Sequence, residues 1–330
     1  MKSRTLTCIT AITLFAVLAI PVQLAAQAHT RYQLIDIGTL GGPVSYDSVD
    51  GIADRFLMLN DAGIVASSAD TPFSDPDTPN CFHPDCFLNH AFRWQKGVIA
   101  DLGSLPGVHN SGASWISQNG FIVGGSETDL IDPLGGPELR GVLWTKHGQI
   151  INLGTVGGNE SFALSVNSRG QVTGWSTNAI SDPFSILQLG FQTRAFLWQH
   201  GVMRDLSTLG GPDALASYVN EHGQVAGFSY TDSTPNIGVQ CPGAVTSDLG
   251  NCGGPAVLNN RGQVIGSSTL PGDLISRPFL WDHGVITDLG TLGGDNGEAL
   301  AINDAGEKLW ARPICLATRH SMRSSGVTGQ

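Results

Sequence analysis

The sequence predicts an all-β fold, a β-propeller-like array of about six four-stranded repeats whose ring closure is expected to be incomplete. One observation behind this is a recurring block, clearest at Arg194-Ala-Phe-Leu-Trp198, with a turn at Gln-His-Gly201 and the sequel Asp205-Leu-Ser-Thr-Leu-Gly-Gly211. Another is a partner block built on Asn-x-x-Gly and a β-branched run. Its turn glycines stand at Gly63, Gly120, Gly170, Gly223, Gly262 and Gly306, a period of 39 to 57 residues. Composition agrees: 43 glycines in 330 residues, with only 14% charged residues, suit short strands and tight turns better than long helices.

The chain opens with Lys2 and Arg4, an apolar run from Leu6 to Ile20, Pro21, and then Ala26-Gln27-Ala28. A charged start, a short apolar core and an A-x-A exit predict a secretory signal peptide over residues 1–28, and so a secreted protein, extracellular or periplasmic. A retained N-terminal anchor is the alternative, although the run is short against the roughly 20 residues of a bilayer-spanning helix. No second run of that length follows, so no membrane span is expected after cleavage. Loss of Lys2 and Arg4 moves the net charge from −11 to −13. Such acidity argues against nucleic acid or anionic membrane surfaces as partners, since both attract basic patches.

From residue 29 the repeat takes over and runs to Gly306. The first block returns at His90-Ala-Phe-Arg-Trp94, Gly141-Val-Leu-Trp144 and Arg277-Pro-Phe-Leu-Trp281. The second is closest in Asn167 to Gly174, Asn220 to Gly227 and Asn259 to Gly266, and looser around Asn60, Ser117 and Asn303. Phe-Leu-Trp has high β-propensity, and the x-Gly that follows tolerates positive φ, so each first block reads as a hairpin. Asn-x-x-Gly makes a second, because Asn bonds its own backbone and Gly takes the left-handed position. Two hairpins give four strands per repeat, the size of a propeller blade. Stacking neighbours covers faces that one blade would leave exposed.

Two copies depart from the pattern. Between Gly227 and Asp248 the aromatic strand is missing, and Pro235 and Pro242 stand in its place. After Gly306 the expected strands give way to a basic, polar sequence, so residues 307–330 are expected to form an aberrant, disordered tail.

These blocks resemble the HAF-repeat family of bacterial extracellular proteins, named for a triplet found here at His90-Ala91-Phe92. The resemblance covers roughly Tyr32 to Gly306. It implies export and a repeated β architecture, and it implies no catalytic mechanism. Other copies place Arg194, Arg277 or Gly141 where the triplet has histidine, so that histidine is replaceable.

The residues that recur look architectural. Trp94, Trp144, Trp198 and Trp281 share one position and are read as core between repeats, with an aromatic sugar-binding surface as the alternative. The aligned Asp36, Asp101, Asp205, Asp248 and Asp288, with Asn152 in one copy, are read as turn residues, because no D-x-D-x-D-G calcium loop is present. His147, His200, His222 and His283 each precede a turn glycine and are read as exposed. No nucleophile elbow, H-E-x-x-H or P-loop occurs, so no catalytic, cofactor-binding or metal residue is assigned and no cofactor is expected.

In an exported chain two close cysteine pairs, Cys81 with Cys86 and Cys241 with Cys252, are most simply disulfides, leaving Cys315 over. Zinc held by Cys81, Cys86, His83 and His90 is the competing reading for the first pair. The insertions 67–89, 126–139, 176–193, 228–247 and 267–276 all follow the Val-x-Gly strand, which places them on one face, and binding residues concentrate on loops held by a rigid scaffold. The functional expectation is therefore a binding or interaction module, with an extracellular glycan or protein as ligand. An extracellular hydrolase or lyase on the same scaffold, or a decayed copy without activity, are the alternatives.

Overall fold

The computed structural model describes residues 34–46, 58–79, 81–107, 109–230, 253–270, 275–291 and 293–311. Among them the protein is all-β, and its strands form separate antiparallel sheets in chain order. The first sheet holds β1 (Ser45–Tyr46), β2 (Ile64–Ser74), β3 (Phe87–Gln95) and β4 (Val98–Asp101). The second holds β5 (Ser111–Ile116), β6 (Ile122–Ile131), β7 (Pro137–Trp144) and β8 (Ile150–Asn152). The third holds β9 (Ser161–Val166), β10 (Val172–Ser181), β11 (Phe191–Gln199) and β12 (Val202–Asp205). A fourth shows β13 (Ala214–Val219) and β14 (Val225–Ser229). The fifth is again four-stranded, with β15 (Gly253–Leu258), β16 (Val264–Thr269), β17 (Ser276–Asp282) and β18 (Val285–Asp288), and the last pairs β19 (Glu298–Ile302) with β20 (Lys308–Ala311).

Each full sheet is a simple meander, starting with the Asn-x-x-Gly hairpin and ending with the Phe-Leu-Trp hairpin. The predicted turn chemistry accounts for both. Gly63, Gly120, Gly170, Gly223, Gly262 and Gly306 all have φ between 71° and 89°. In the second hairpin Lys96-Gly97, His200-Gly201 and His283-Gly284 take positive φ at both residues, the geometry of a type I′ turn that matches the twist of the strands. The glycine that ends Val-x-Gly is needed for another reason. A Cβ on Gly124, Gly174 or Gly227 would lie 1.9 to 2.0 Å from a carbonyl oxygen of the preceding strand, where that strand bulges.

The core lies between consecutive sheets. Trp144 and Ile122 pack with Ile64, Ala66 and Leu105, and Phe196 and Trp198 pack with Val123, Leu143 and Leu153. Trp144 is fully buried and Trp198 nearly so, whereas Trp94 and Trp281 are half-buried, so the aligned tryptophans divide between core and rim.

A ladder of amides ties the sheets together at the Asn-x-x-Gly end. Asn60 donates from Nδ2 to the Ser117 carbonyl, Asn167 to that of Asn220, Asn220 to that of Asn259, and Asn259 to that of Asn303, at 2.9 to 3.0 Å. Ser117 has no amide, and Asn119 supplies its link by donating to the Ser168 carbonyl at 2.6 Å. Each ladder asparagine also organises its own turn: Oδ1 of Asn167 accepts from the Arg169 and Gln171 N–H groups, and Nδ2 donates to Gln171 Oε1.

Regular pairing continues for a few residues past Gly306. Lys308–Ala311 pairs with Glu298–Ile302, and Glu307 stands in for the glutamine of the other copies, accepting from Asn303 Nδ2 while its N–H donates to Asn303 Oδ1. The turn therefore survives the change of sequence. The signal segment 1–28, most of the insertion 228–247, Asp248, Cys315 and residues 312–330 lie outside the described residues. So do both members of the second expected cysteine pair, Cys241 and Cys252. Among the described residues no helix is long and apolar enough to cross a membrane.

Candidate functional site

In the first three sheets the insertions prove to be extensions of the two central strands. In the first three sheets they are built to one plan. Pairing is regular up to Asp70, Glu127 and Thr177, breaks, and resumes at Ser74, Ile131 and Ser181, which face Phe87, Pro137 and Phe191. Inside each break a side-chain oxygen accepts from the N–H two residues on: Thr71 Oγ1 from Phe73, Thr128 Oγ1 from Leu130, and Asn178 Oδ1 from Ile180, at 2.9 to 3.3 Å. A bulge of this kind re-aims a side chain. The one it re-aims is apolar each time, and Phe73, Leu130 and Ile180 are 66%, 56% and 54% exposed.

An Asp-Pro pair then turns the chain at the same distance from the turn glycine in all three: Asp75-Pro76, Asp132-Pro133 and Asp182-Pro183. Each aspartate accepts from the N–H two residues on, in Asp77, Leu134 and Phe184. Leu134 and Phe184 are again exposed, at 66% and 52%. The shared signature is Thr71-Pro-Phe-Ser-Asp75-Pro, Thr128-Asp-Leu-Ile-Asp132-Pro and Asn178-Ala-Ile-Ser-Asp182-Pro. By composition alone these stretches look variable, and only alignment on the turn glycines exposes the pattern.

Beneath the hairpins lies a layer of buried polar groups that fixes them. Residues at one position before the first strand of a sheet reach back to the preceding sheet: Asn110 Oδ1 accepts from the Asn89 N–H, Glu160 Oε2 from Leu139, Asp213 Oδ1 from Thr193 and Asn296 Oδ1 from Ser276, at 2.7 to 2.8 Å. Burial raises the carboxyl pKa of Glu127 and Asp213, and that of Glu160 to about 8, because little water remains to solvate the charge. In Glu127 the nearby Asp75 and Asp77 push the same way.

Asp75 sits at the centre of the first hairpin. It is buried and accepts from the N–H groups of Asp77 and Phe82 and from Asn110 Nδ2, which also donates to Glu127. The loop it holds is closed by the Cys81–Cys86 disulfide, with Cα atoms 5.2 Å apart, so these thiols are joined to each other as the spacing suggested. The bridge expected between Cys241 and Cys252 falls outside the described residues. His83 lies in the first loop, its ring stacked on Tyr46 at 3.9 Å between centroids. Among the described residues no group of three or more His, Cys, Asp or Glu side chains is placed to hold a metal ion.

The aligned acids are turn groups. Asp101, Asn152, Asp205 and Asp288 each accept from the N–H two residues on at 2.7 to 2.9 Å. His90 of the triplet explains its own replacement: its Nδ1 meets the Asp101 carboxylate at 2.9 Å, as Arg194 approaches Asp205 at 3.8 Å. Where the acid becomes Asn152 the register places Arg140, not Gly141, at the histidine's position, since Val142 faces Asn152 as Phe92 faces Asp101. Arg140 turns instead to Glu138 and the Asn159 carbonyl. Burial alone would raise Asp101, but the hydrogen bonds from His90 and Gly103 and the charge of His90 hold it below the usual carboxylate range. His147, His200, His222 and His283 are all exposed. No protein-family model matches the chain, and no curated protein matches it significantly.

Proposed function

We propose that this chain is an exported binding module of HAF-repeat type, a propeller-like array that holds its ligand on the central hairpins of the first three sheets. The observation that carries the reading is the repeated bulge that turns Phe73, Leu130 and Ile180 out of the sheets. A large apolar side chain on a solvent-facing hairpin contributes nothing to the core, and its return at one position of three hairpins is what a surface kept for interaction would show. The scaffold supports that role, since the buried caps Asn110, Glu160 and Asp213 hold the hairpins without taking residues from their outer surface.

The buried acids below the hairpins support binding rather than turnover. Asn110 Nδ2 and backbone N–H groups occupy Asp75 and Glu127, which lie 2% and 6% exposed, so their oxygens serve the framework. Export is carried by the leader-like residues 1–28, and the Cys81–Cys86 bridge is compatible with an oxidising compartment. The test is a binding screen of the mature chain against extracellular polysaccharides and cell-envelope proteins, run beside a variant with Phe73, Leu130 and Ile180 changed to serine. Loss of a captured ligand in the variant is expected. Capture unaffected by the triple change would place the binding surface elsewhere.

A further inference from the structure

Four of the five joints between consecutive sheets carry the same two bonds. Besides the amide of the turn asparagine, the N–H of the residue after it donates to a side chain of the next copy. Asp61 donates in this way to Gln118 Oε1, Ser168 to Glu221, Glu221 to Asn260 Oδ1 and Asn260 to Asp304 Oδ1, at 2.8 to 3.1 Å. A joint thus has a giving half, an amide and the next N–H, and a receiving half, a carbonyl and the next side-chain acceptor.

Both halves stand unmatched at the two ends of the array, among the described residues. The first sheet presents the Asn60 carbonyl and then Asp61, an exposed residue at the place of Asp304 whose carboxylate accepts nothing. The last sheet presents Asn303, whose amide gives one hydrogen to Glu307 and keeps the other, and then the free N–H of Asp304. Asn167, Asn220 and Asn259 each give both hydrogens. An apolar face accompanies the unmatched receiving half. Leu59 occupies the position of Ile116, Val166 and Ile302, which pack on the preceding sheet and are 0%, 1% and 8% exposed, yet Leu59 is 55% exposed. Val65 and Trp94 are half-buried where Ile122 with Trp144, and Val172 with Trp198, are covered by the sheet before them.

We infer that the array associates head to tail with a second copy of this chain, the Asn303 end of one copy seating on the Leu59 face of the next. The joint itself selects the occupant: the half that fits Asn60 and Asp61 is the one every copy carries at Asn303 and Asp304, and no hydrogen bond joins those two ends within one chain. A second copy completes the joint without rearranging either array. Covering Leu59, Val65 and Trp94 drives the contact, and the two bonds set its register. Because different patches meet, the contact can continue from copy to copy.

Sedimentation velocity on the mature chain tests this with two variants. Leu59→Arg/Asp61→Arg blocks the receiving half through two exposed side chains. Asn303→Asp/Glu307→Gln exchanges donor and acceptor inside the last turn, which keeps that turn's own bond and removes the spare hydrogen. Wild type is expected to pass from monomer to dimer and longer species between about 1 and about 100 µM. Each variant alone should associate at least about tenfold more weakly. An equimolar mixture of the two should form a dimer and nothing larger, since one intact pair of halves remains. Circular dichroism and an unchanged thermal midpoint show that the variants are folded.

A wild type that stays monomeric at about 100 µM would overturn the inference. Association of the Asn303 variant equal to wild type would also overturn it, because the Leu59 face would then be meeting itself. A mixture as dissociated as its two components would do the same.

Discussion

Changing Asn167 to aspartate removes the donor half of one amide and keeps the acceptor half. In the structure Oδ1 accepts from the Arg169 and Gln171 N–H groups at 3.0 Å each, while Nδ2 donates to Gln171 Oε1 at 2.7 Å and to the Asn220 carbonyl at 2.9 Å. An aspartate caps a turn about as well as an asparagine, so if Asn167 served only its own turn the change would be close to neutral. The ladder implies otherwise. Two donated bonds are lost, at about 0.5 to 1.5 kcal/mol each, and a carboxylate is set against two oxygens in a residue only 1% exposed. The expected loss is about 3 kcal/mol, at least as large as for Asn167→Ala, which loses the turn caps as well but leaves no charge. Urea unfolding followed by tryptophan fluorescence measures it, since Trp198 is buried in the same sheet as Asn167. The slope must be compared as well as the midpoint, because an array can lose cooperativity between units. An Asn167→Asp midpoint equal to wild type, with Asn167→Ala destabilised, would show that the residue acts within its turn and that the link to the next sheet carries no weight.

Other expectations follow from single groups. Burial raises Glu160 to about 8, above the unfolded value of about 4.3, so the native state holds that proton more tightly. Its contribution to stability is full below about pH 4 and is lost as pH rises towards 8, at most about 5 kcal/mol by linkage. Glu160→Gln keeps an acceptor for the Leu139 N–H, so its thermal midpoint should vary less than the wild type's between pH 5 and 8, within about that window; parallel pH profiles would show that the group does not titrate there. Ser207 holds φ at 65° where the other copies have Gly103, Gly154 and Gly290. Ser207→Gly should therefore stabilise by about 1 kcal/mol, and a lowered melting temperature would count against strain at that turn. Replacing Cys81 and Cys86 by serine opens a short loop and should cost about 2 kcal/mol, with hydrogen exchange rising in residues 75–89 ahead of the second and third sheets. Uniform exchange across all sheets would contradict a local role for the bridge.

The architecture is largely legible in the sequence because its signals are local. A glycine that must take positive φ, an aspartate that caps the residue two on, and a Phe-Leu-Trp strand all act within a few residues and leave their mark in most copies. What binds the sheets together is harder to see. Asn167 and Asn220 are recognisable as turn formers, yet the second hydrogen of each amide reaches a carbonyl in the next copy, and periodicity says nothing about where that hydrogen points. The candidate site is half visible. Placing the insertions at one end of the repeat follows from their shared position, but Phe73, Leu130 and Ile180 differ in identity and sit in segments of unequal length, so they do not stand out until the bulges are superposed. The division of the tryptophans has no sequence signal, for Trp94 and Trp144 occupy the same place in their strands and differ only in what packs over them.

The amide ladder is asymmetric: the giving group is a side chain and the receiving group is backbone. For that bond a copy asks nothing of its successor's side chain, and this is why Ser117 can receive Asn60 without an amide of its own. A second link, from the next backbone N–H to Gln118, Glu221, Asn260 or Asp304 of the following copy, does depend on the successor's sequence. A newcomer is therefore accepted from behind when its main chain is ordinary and the residue after its turn asparagine carries a side-chain acceptor. Mutational decay in one copy then weakens a single seam, and the hairpins on the remaining copies stay free to diversify.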